Sequence, residues 1–295
     1  MKIAVVTDSS AGFSNEEMNK YSNLFVLDIP FFVNNKEYVE NKDMTREEFF
    51  NLLDDSNTEV HTSQPSISSV TNMWTKILKE YDYIIHIPIS SGLSSSYNTS
   101  QMLSNEDEFI GKVFPIDLQR ISFSLKIACQ EALVMIKEGF NVREIIDYLI
   151  KNKFNSSIYI NVPDLKYLKK GGRLTKSVAL IASLLKIKPV LQIQGEKLDL
   201  YKKAHSIKQC TNIQVNAIKD DLNNRFKEYL DNNEMVLAIA YTNNFLDAMK
   251  MKELLTCEFP NLKIYLIDPL CLTISCHIGK NCLGVGLSRI RKELL

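Results

Sequence analysis

The amino-acid sequence predicts an α/β protein with two domains, and three observations support this prediction. Short apolar runs without polar alternation recur in the first half, which is typical of strands buried on both faces of a parallel sheet. Amphipathic helices separate these runs, as in a right-handed βαβ sheet. The chain has 295 residues, a length that suits two domains better than one.

The first half alternates between predicted strands and predicted helices. Three apolar strands are expected at residues 3–6, 83–89 and, more weakly, 112–116. Helical spacing of apolar residues predicts helices at about residues 67–81, 121–137 and 142–151. The first of these helices begins after Pro65, and the second stops at Gly139, a residue type that tolerates a left-handed C-terminal cap. We therefore predict a parallel-sheet domain over residues 1–155.

The second half has a different pattern. Strands are predicted at about residues 158–162, 188–194, 198–204, 235–241 and 262–267, and helices at about 206–230 and 244–257. The turn Gly195-Glu196-Lys197 joins two of the strands as a hairpin. We expect an α+β domain with a mixed or antiparallel sheet over residues 156–295.

Composition and charge exclude several classes of protein. Lys plus Arg and Asp plus Glu both number 35, so the net field attracts neither nucleic acid nor an anionic membrane. No segment approaches the roughly 18 apolar residues of a membrane span, and the first apolar run is too short for a signal peptide. The six cysteines follow no small-scaffold pattern, which predicts free thiols. We expect a cytoplasmic protein with no nucleic-acid partner and only transient membrane contact.

Three polar clusters follow predicted strand ends in the first half. They are Thr7-Asp8-Ser9-Ser10, Thr62-Ser63-Gln64-Pro65-Ser66 and Ser90-Ser91-Gly92-Leu93-Ser94-Ser95-Ser96-Tyr97. Ligands of open parallel sheets bind at the carboxyl ends of strands, where helix N-termini offer free N–H groups. Each cluster alone is explained better by helix capping than by a ligand site. Three clusters at one sheet edge indicate a site for an anion such as a carboxylate or a phosphate.

Five segments resemble signatures of the DegV family, in the family's order and over nearly the whole chain. They are Thr7-Asp8-Ser9-Ser10, residues 62–66, residues 89–94, Leu165-Lys166-Tyr167-Leu168-Lys169-Lys170-Gly171-Gly172-Arg173-Leu174, and Lys186-Ile187-Lys188-Pro189-Val190. The resemblance implies a two-domain protein that holds a fatty acid in a buried tunnel between its domains. It also implies a non-catalytic role: some members are acyl-binding subunits of bacterial fatty-acid kinase, whose separate ATP-dependent subunit phosphorylates the bound carboxylate.

The resemblance assigns roles to individual residues. Thr62 and Ser94 are implied to bind the carboxylate of a long-chain fatty acid. The head-group vicinity and tunnel mouth are implied to contain Ser63, Ser95, Arg173 and His277. The candidates for partner docking are Lys170, Arg173, Lys176 and His205, although a basic run of this kind is also explained by a solvated face. No catalytic residue, cofactor or metal is implied.

The sequence departs from the family pattern at three places. Ser95-Ser96 stand where the family usually has Gly-Thr, and Lys280-Asn281 replace a Pro-Gly pair after His277. His205 stands where an arginine is common, which removes a permanent positive charge. We expect these departures to alter coupling to a partner and to leave carboxylate binding intact.

Other functions remain open at this stage. A serine hydrolase is disfavoured because Gly92-Leu93-Ser94-Ser95-Ser96 lacks the second glycine of a nucleophile elbow. Cys271, Cys276, His277 and Cys282 are chemically able to hold zinc, but their spacing matches no finger or ribbon. The same segment also has the character of a buried strand in which cysteine is a small hydrophobic residue. A carrier for another small hydrophobic ligand, such as a retinoid or a sterol, is not excluded.

Overall fold

The computed structural model describes residues 1–173, 175 and 187–295. Its strands are β1 (Ile3–Asp8), β2 (Leu24–Leu27), β3 (Phe31–Val33), β4 (Lys36–Tyr38), β5 (Val60–Thr62), β6 (Tyr83–Ile87), β7 (Val113–Pro115), β8 (Ser156–Asn161), β9 (Lys188–Ile193), β10 (Asp199–Ala204), β11 (Met235–Tyr241), β12 (Ile264–Pro269) and β13 (Leu283–Arg289). Its α-helices are α1 (Asn15–Met18), α2 (Arg46–Leu52), α3 (Ile67–Ile77), α4 (Ser96–Leu103), α5 (Ser122–Lys137), α6 (Val142–Asn152), α7 (Lys166–Gly171), α8 (Ile207–Asn223), α9 (Lys227–Asp231), α10 (Phe245–Glu258) and α11 (Leu272–Ile278).

The first half contains the parallel sheet that the sequence predicts. Its strand order is β2-β1-β6-β7, and all neighbouring strands run parallel. Every residue of β1 is buried, which agrees with an apolar run covered on both faces. Helix α3 packs Val70, Trp74 and Ile77 against one face. Helix α5 covers the other face and is followed by Gly139, whose φ of +89° is in the left-handed region.

A small antiparallel sheet of order β4-β3-β5 extends the first half. The Thr45 hydroxyl accepts the Glu48 N–H, and the Glu48 carboxylate accepts the Thr45 N–H, so a capping box begins α2. The aromatic rings of Phe31, Phe49 and Phe50 form the core between this sheet and α2. The same core includes residues of α11, which joins this sheet to the second half of the chain.

The second half contains a six-stranded sheet of order β10-β9-β8-β13-β11-β12. Strands β11 and β12 are parallel, and the other neighbouring pairs are antiparallel. The mixed sheet is therefore as predicted. The strands of the two smaller sheets precede residue 116 and those of the six-stranded sheet begin at Ser156, while a domain boundary at 155/156 stays a prediction.

One core cluster contains residues from both halves. Leu93 and Phe123 of the first half share it with Ile160 and Leu191 of the second half. Phe123 lies so close to β13 that a Cβ at Gly286 would be 2.4 Å from its Cζ atom. Because glycine has no Cβ, the ring can lie directly on the strand, and the two halves share a continuous apolar interior.

The structure corrects two predicted elements. The single helix predicted over residues 206–230 is interrupted between α8 and α9, where Asn224 adopts φ −119° and ψ −80°. This break places Phe226 in the core, and packing outweighs helix propensity there. The proposed buried strand within residues 271–282 is instead helix α11, in which Leu272 and Cys276 share one buried face at helical spacing.

Among the described residues, no helix combines the length and apolar character that a membrane crossing requires. All six cysteines are free thiols, and only Cys257 is exposed.

Candidate ligand-binding site

A cavity of about 590 Å³, counting the space at its opening, lies where the parallel sheet, β5 and α11 meet. Its polar lining consists of Ser10, Thr62, Ser63, Gln64, Ser94, Arg173, Thr273 and His277. Its apolar lining consists of Ile29, Ile89, Leu93, Ile121, Leu198, Ile274 and Ile278.

The three polar clusters of the sequence each supply a residue to this cavity: Ser10, Thr62 and Ser94. One detail of the prediction is wrong. Thr62 ends β5 of the small antiparallel sheet, so the second cluster does not follow a strand of the parallel sheet. The clusters converge because the small sheet folds against the strand ends, which sequence patterns of single strands do not encode.

Thr62 and His277 are hydrogen-bonded across the junction between the two halves. The Thr62 Oγ1 atom lies 2.8 Å from the His277 Nε2 atom. Burial, reinforced by the positive charge of Arg173 and by His61, lowers the pKa of His277 to about 4 from its ordinary value of 6.5. His277 is therefore neutral at pH 7. In the Nε2–H tautomer the ring donates to Thr62 and leaves the threonine hydrogen for a ligand, whereas in the Nδ1–H tautomer Thr62 donates to the ring.

Arg173 spans the same junction and is half-buried. Its Nε atom donates to the Leu93 carbonyl oxygen at 3.4 Å, and its Nη1 atom donates to the Gly171 carbonyl oxygen. A guanidinium has five donors, so further N–H groups remain for an anion beside Thr62 and Ser94. The guanidinium supplies the permanent positive charge of this cavity lining.

Ser94 lines the cavity and also bonds to Ser96, the first residue of α4. Its Oγ atom accepts the Ser96 N–H at 3.2 Å and lies 2.8 Å from the Ser96 Oγ atom. Ser95, not Ser94, is the N-cap of α4 and makes no side-chain capping bond, so the Ser94 hydroxyl stabilises the turn before the helix. Either serine can be the donor in the Oγ–Oγ contact, so the Ser94 hydrogen is available to a ligand when Ser96 donates.

Asp8 joins the loops that follow β1 and β6. It is buried and accepts the Ile89 N–H at 2.7 Å and the Ser10 N–H at 3.0 Å. Burial raises the pKa of Asp8, although these hydrogen bonds act in the opposite direction. Asp8 therefore shapes the cavity edge by fixing Ser10 and Ile89, both of which line the cavity.

Of the other residues that the resemblance assigns to the site, only Ser63 is part of the described cavity lining. Ser63 lines the cavity and is exposed, so the polar end reaches the surface. Ser95 is exposed at the N-terminus of α4 and is not part of the described lining. Lys170 is exposed and lies 3.4 Å from the Glu59 carboxylate, and His205 is exposed after β10. Lys176 lies outside the described residues, and these assignments stay predictions.

The sequence did not predict a cavity role for Thr273 or for six apolar residues of the described lining: Ile29, Ile89, Ile121, Leu198, Ile274 and Ile278. One helix face has the spacing i, i+1, i+4, i+5 and contains Thr273, Ile274, His277 and Ile278. Had this segment been predicted as a helix, that spacing would have placed all four residues on the side of His277. Ile29 follows β2 and carries no recognisable chemical pattern.

The two rival chemistries find little support in the described part of the chain. The Ser94 hydroxyl is paired with Ser96 and the His277 ring with Thr62, so no Ser–His pair of a hydrolase is formed there. The described residues contain no group of three or more His, Cys, Asp or Glu side chains arranged to hold a metal ion. Burial raises the pKa of Cys271 to about 12, which keeps this thiol protonated.

The fold and the cavity define a class: two-domain α/β proteins with a cavity of mixed polar and apolar lining where the sheets meet. The family model of DegV, described as a family of uncharacterised proteins, matches residues 2–289. A DegV domain-containing protein of Staphylococcus aureus (strain N315) is 30% identical over 285 residues, or 96% of this chain and 98% of that protein. The chain belongs to the DegV family.

Solved structures agree with this assignment. A fatty acid binding DegV family protein from Streptococcus agalactiae has a TM-score of 0.88 and 25% identity, covering 99% of this chain and 100% of that one. DegV of Bacillus subtilis, described as a fatty acid binding protein, has a TM-score of 0.83 and 26% identity, with coverage of 98% and 99%. The same fold therefore extends over nearly the whole of this chain and of each of these two solved structures.

Proposed function

We propose that this protein binds one long-chain fatty acid, with its carboxylate at Thr62 and Ser94 and its tail along the apolar lining. The observation that carries the proposal is the composition of the cavity. Among the described residues, its lining combines the Thr62 and Ser94 hydroxyls and the Arg173 guanidinium with seven branched aliphatic side chains. The fatty-acid-binding relatives from Streptococcus agalactiae and Bacillus subtilis support the same ligand class.

The polar end suits a carboxylate for a physical reason. A hydrogen bond to a charged group contributes about 1.5–3 kcal/mol, and Thr62 and Ser94 each have a hydrogen to donate. Arg173 offsets the cost of removing the carboxylate from water by supplying the opposite charge. A neutral His277 adds no second cation, so the head group is fixed mainly by hydroxyl geometry.

The tail supplies most of the affinity in this proposal. Burial of roughly 15 methylenes at about 0.8 kcal/mol each contributes on the order of 12 kcal/mol. Association costs about 4–15 kcal/mol, which offsets much or all of the tail contribution, and the carboxylate contacts add affinity and decide the orientation. A tail-inward orientation leaves the carboxylate at the end where Ser63 is exposed.

We infer further that the bound carboxylate is presented to an ATP-dependent kinase subunit, which would form the acyl phosphate. The described residues show no glycine-rich phosphate loop, so the ATP chemistry is assigned to the partner. The candidate docking residues are Lys170, Arg173, Lys176 and His205.

The test mixes the protein with such a subunit from the same organism, ATP and Mg²⁺. Acyl phosphate should form in this mixture and should not form when the kinase subunit is left out. A faster reaction with His205→Arg would support a coupling role for that position, and an unchanged rate would remove it.

The ligand itself is tested by extraction. Protein purified under native conditions, extracted with organic solvent and examined by mass spectrometry should release a fatty acid of roughly 14–18 carbons. Delipidated protein should bind the same acid again with a stoichiometry of one. Extracts without an acyl chain, together with no rebinding, would contradict the proposal.

The head-group contacts are tested by substitution. Thr62→Ala and Ser94→Ala should each weaken fatty-acid binding by about 10- to 100-fold, the range of one hydrogen bond to a charged group. The measurement is displacement of a fluorescent fatty acid. Thr256→Ala is a matched control because Thr256 is exposed on α10, where its hydroxyl bonds only to the Lys252 carbonyl oxygen. Affinities equal to that control in both variants would place the carboxylate elsewhere.

A further inference from the structure

Helix α11 packs on two sides, one facing the cavity and the other facing the core of the small sheet. Thr273, Ile274, His277 and Ile278 line the cavity. Leu272 and Cys276 lie on the opposite side, within the core formed by the small sheet and α2. A helix of seven residues has little stability of its own, so its position depends on the groups that hold its ends and its buried face.

Glu40 and Arg46 hold the beginning of this helix from the other half of the chain. The Glu40 Oε2 atom accepts the Leu272 N–H at 2.6 Å. The Arg46 Nη1 atom donates to the Glu40 Oε1 atom at 3.2 Å and to the Leu270 carbonyl oxygen at 2.6 Å. Its Nη2 atom donates to the Thr242 carbonyl oxygen at 2.7 Å.

These contacts connect three segments that are distant in sequence. Arg46 is the first residue of α2, and Glu40 precedes it by six positions. Thr242 directly follows β11, and Leu270 directly follows β12. The side chains of Arg46 and Glu40 are only 27% and 13% exposed, so their hydrogen bonds are shielded from water and hold a defined geometry.

We infer that Glu40 and Arg46 are positioning residues of the ligand site, which fix the start of α11 and thereby hold His277 against Thr62. The inference rests on the proposed fatty-acid site for its effect on binding. It concerns residues that do not line the cavity and act on it only through α11. Loss of either side chain leaves a buried partner without its bond and allows the helix to shift along its axis.

The same region offers a matched control. Lys42 forms an ion pair with Asp28, and their side chains are 66% and 42% exposed. This pair lies beside the same groove as Glu40 and Arg46 and makes no described contact with α11. Lys42→Met therefore removes a cation from the groove without touching the helix.

The experiment compares Glu40→Ala, Glu40→Gln, Arg46→Met and Lys42→Met with the unaltered protein. Dissociation constants are measured for a 16-carbon fatty acid and for the alcohol of the same length, at a temperature where every variant is folded. Glu40→Ala and Arg46→Met should lose about tenfold in affinity for the acid and much less for the alcohol, because the tail contacts persist. Glu40→Gln keeps an acceptor for the Leu272 N–H and should recover part of the loss.

A second readout does not depend on the ligand. The imidazole nitrogen signals of His277, observed by NMR in delipidated protein, should shift in Glu40→Ala and Arg46→Met and stay unchanged in Lys42→Met. Unchanged His277 signals, or equal losses for acid and alcohol, would overturn the inference and leave Glu40 and Arg46 as simple stabilising residues. Failure of the unaltered protein to bind either lipid would instead contradict the proposed function, while the His277 signals would still decide the positioning role.

Discussion

His86 is a buried histidine whose ring is surrounded by apolar and aromatic groups. It lies in β6, is 1% exposed, and has its ring 5.5 Å from that of Trp74 in an edge arrangement. Neither ring nitrogen has a hydrogen-bond partner among the described residues. Burial lowers the pKa of His86 to about 3, so the folded protein keeps this ring neutral.

The lowered pKa predicts a loss of stability in acid. The unfolded chain binds a proton near the ordinary pKa of 6.5, and the folded chain does so only near 3. The free energy of unfolding therefore falls as the pH falls from 6.5 towards 3, by roughly 3 kcal/mol between pH 7 and pH 4.5. His86→Leu should remove this contribution, so urea unfolding at the two pH values should differ by about 2–3 kcal/mol less than in the unaltered protein.

His205→Asn is the control for this prediction, because His205 is exposed. A pH dependence equally steep in His86→Leu and in the control would show that other groups cause the acid sensitivity. His277 is also buried and should contribute in the same direction, so the double variant His86→Leu/His277→Gln should be flatter still.

At the scale of elements, the regular patterns of the sequence were sufficient for an amphipathic helix such as α3 and for a fully buried strand such as β11. Helix α3 begins within the predicted region, and β11 matches the predicted strand. The failures have identifiable causes. The break before α9 depends on Phe226 reaching the core. Helix α11 has only seven residues, so its helical periodicity was not recognised in a segment with three cysteines. Long-range packing decided both, and a local pattern does not contain it.

The contact between α7 and α11 yields a prediction at the same scale. A Cβ at Gly171, the last residue of α7, would lie 2.5 Å from the His277 Nδ1 atom. Gly171→Ala should displace the imidazole and weaken fatty-acid binding by about tenfold, since the Thr62–His277 hydrogen bond would be lost or bent. Binding is measured by displacement of a fluorescent fatty acid.

Gly284→Ala provides the comparison. Gly284 lies in β13, and its Cβ would meet nothing closer than 3.6 Å, an ordinary van der Waals contact. Neither Gly171 nor Gly284 has a positive φ, so both alanines fit the backbone and only the contact with His277 differs. Equal affinities for the two variants would mean that the imidazole moves without consequence for the ligand.

At the scale of the whole molecule, the site depends on contacts between residues far apart in sequence. The family resemblance placed Thr62, Ser94, Arg173 and His277 together, and the structure brings all four to one cavity. Composition and periodicity alone indicated only an anion site at the strand ends. Arg46 reaches the Thr242 and Leu270 carbonyl oxygens across 196 and 224 positions, and no spacing rule connects such residues.

A second ion cluster joins the two halves outside the cavity. The Lys126 ammonium of α5 is 2.9 Å from the Glu17 carboxylate of α1 and 2.7 Å from the Asp268 carboxylate of β12. The Lys126 side chain is 1% exposed, whereas Glu17 and Asp268 remain 27% and 36% exposed. The lysine is thus the buried member, and it neutralises one carboxylate from each half.

Lys126→Met should lower the stability of the whole protein by about 2 kcal/mol. The methionine fills most of the lysine volume, but the two carboxylates lose their shared cation and repel each other. Removal of one partner from a fully buried pair costs about 3–5 kcal/mol, and water at the two carboxylates reduces that cost here. Because the cluster joins both halves, the expected fall in thermal midpoint of roughly 5 °C should appear in one cooperative transition.

Lys20→Met is the control, because it breaks the exposed pair with Glu16 and should change the midpoint by less than about 2 °C. Two separated transitions in Lys126→Met would mean that the shared apolar core does not hold the halves together without this ion cluster, and an unchanged midpoint would mean that solvent already screens the three charges.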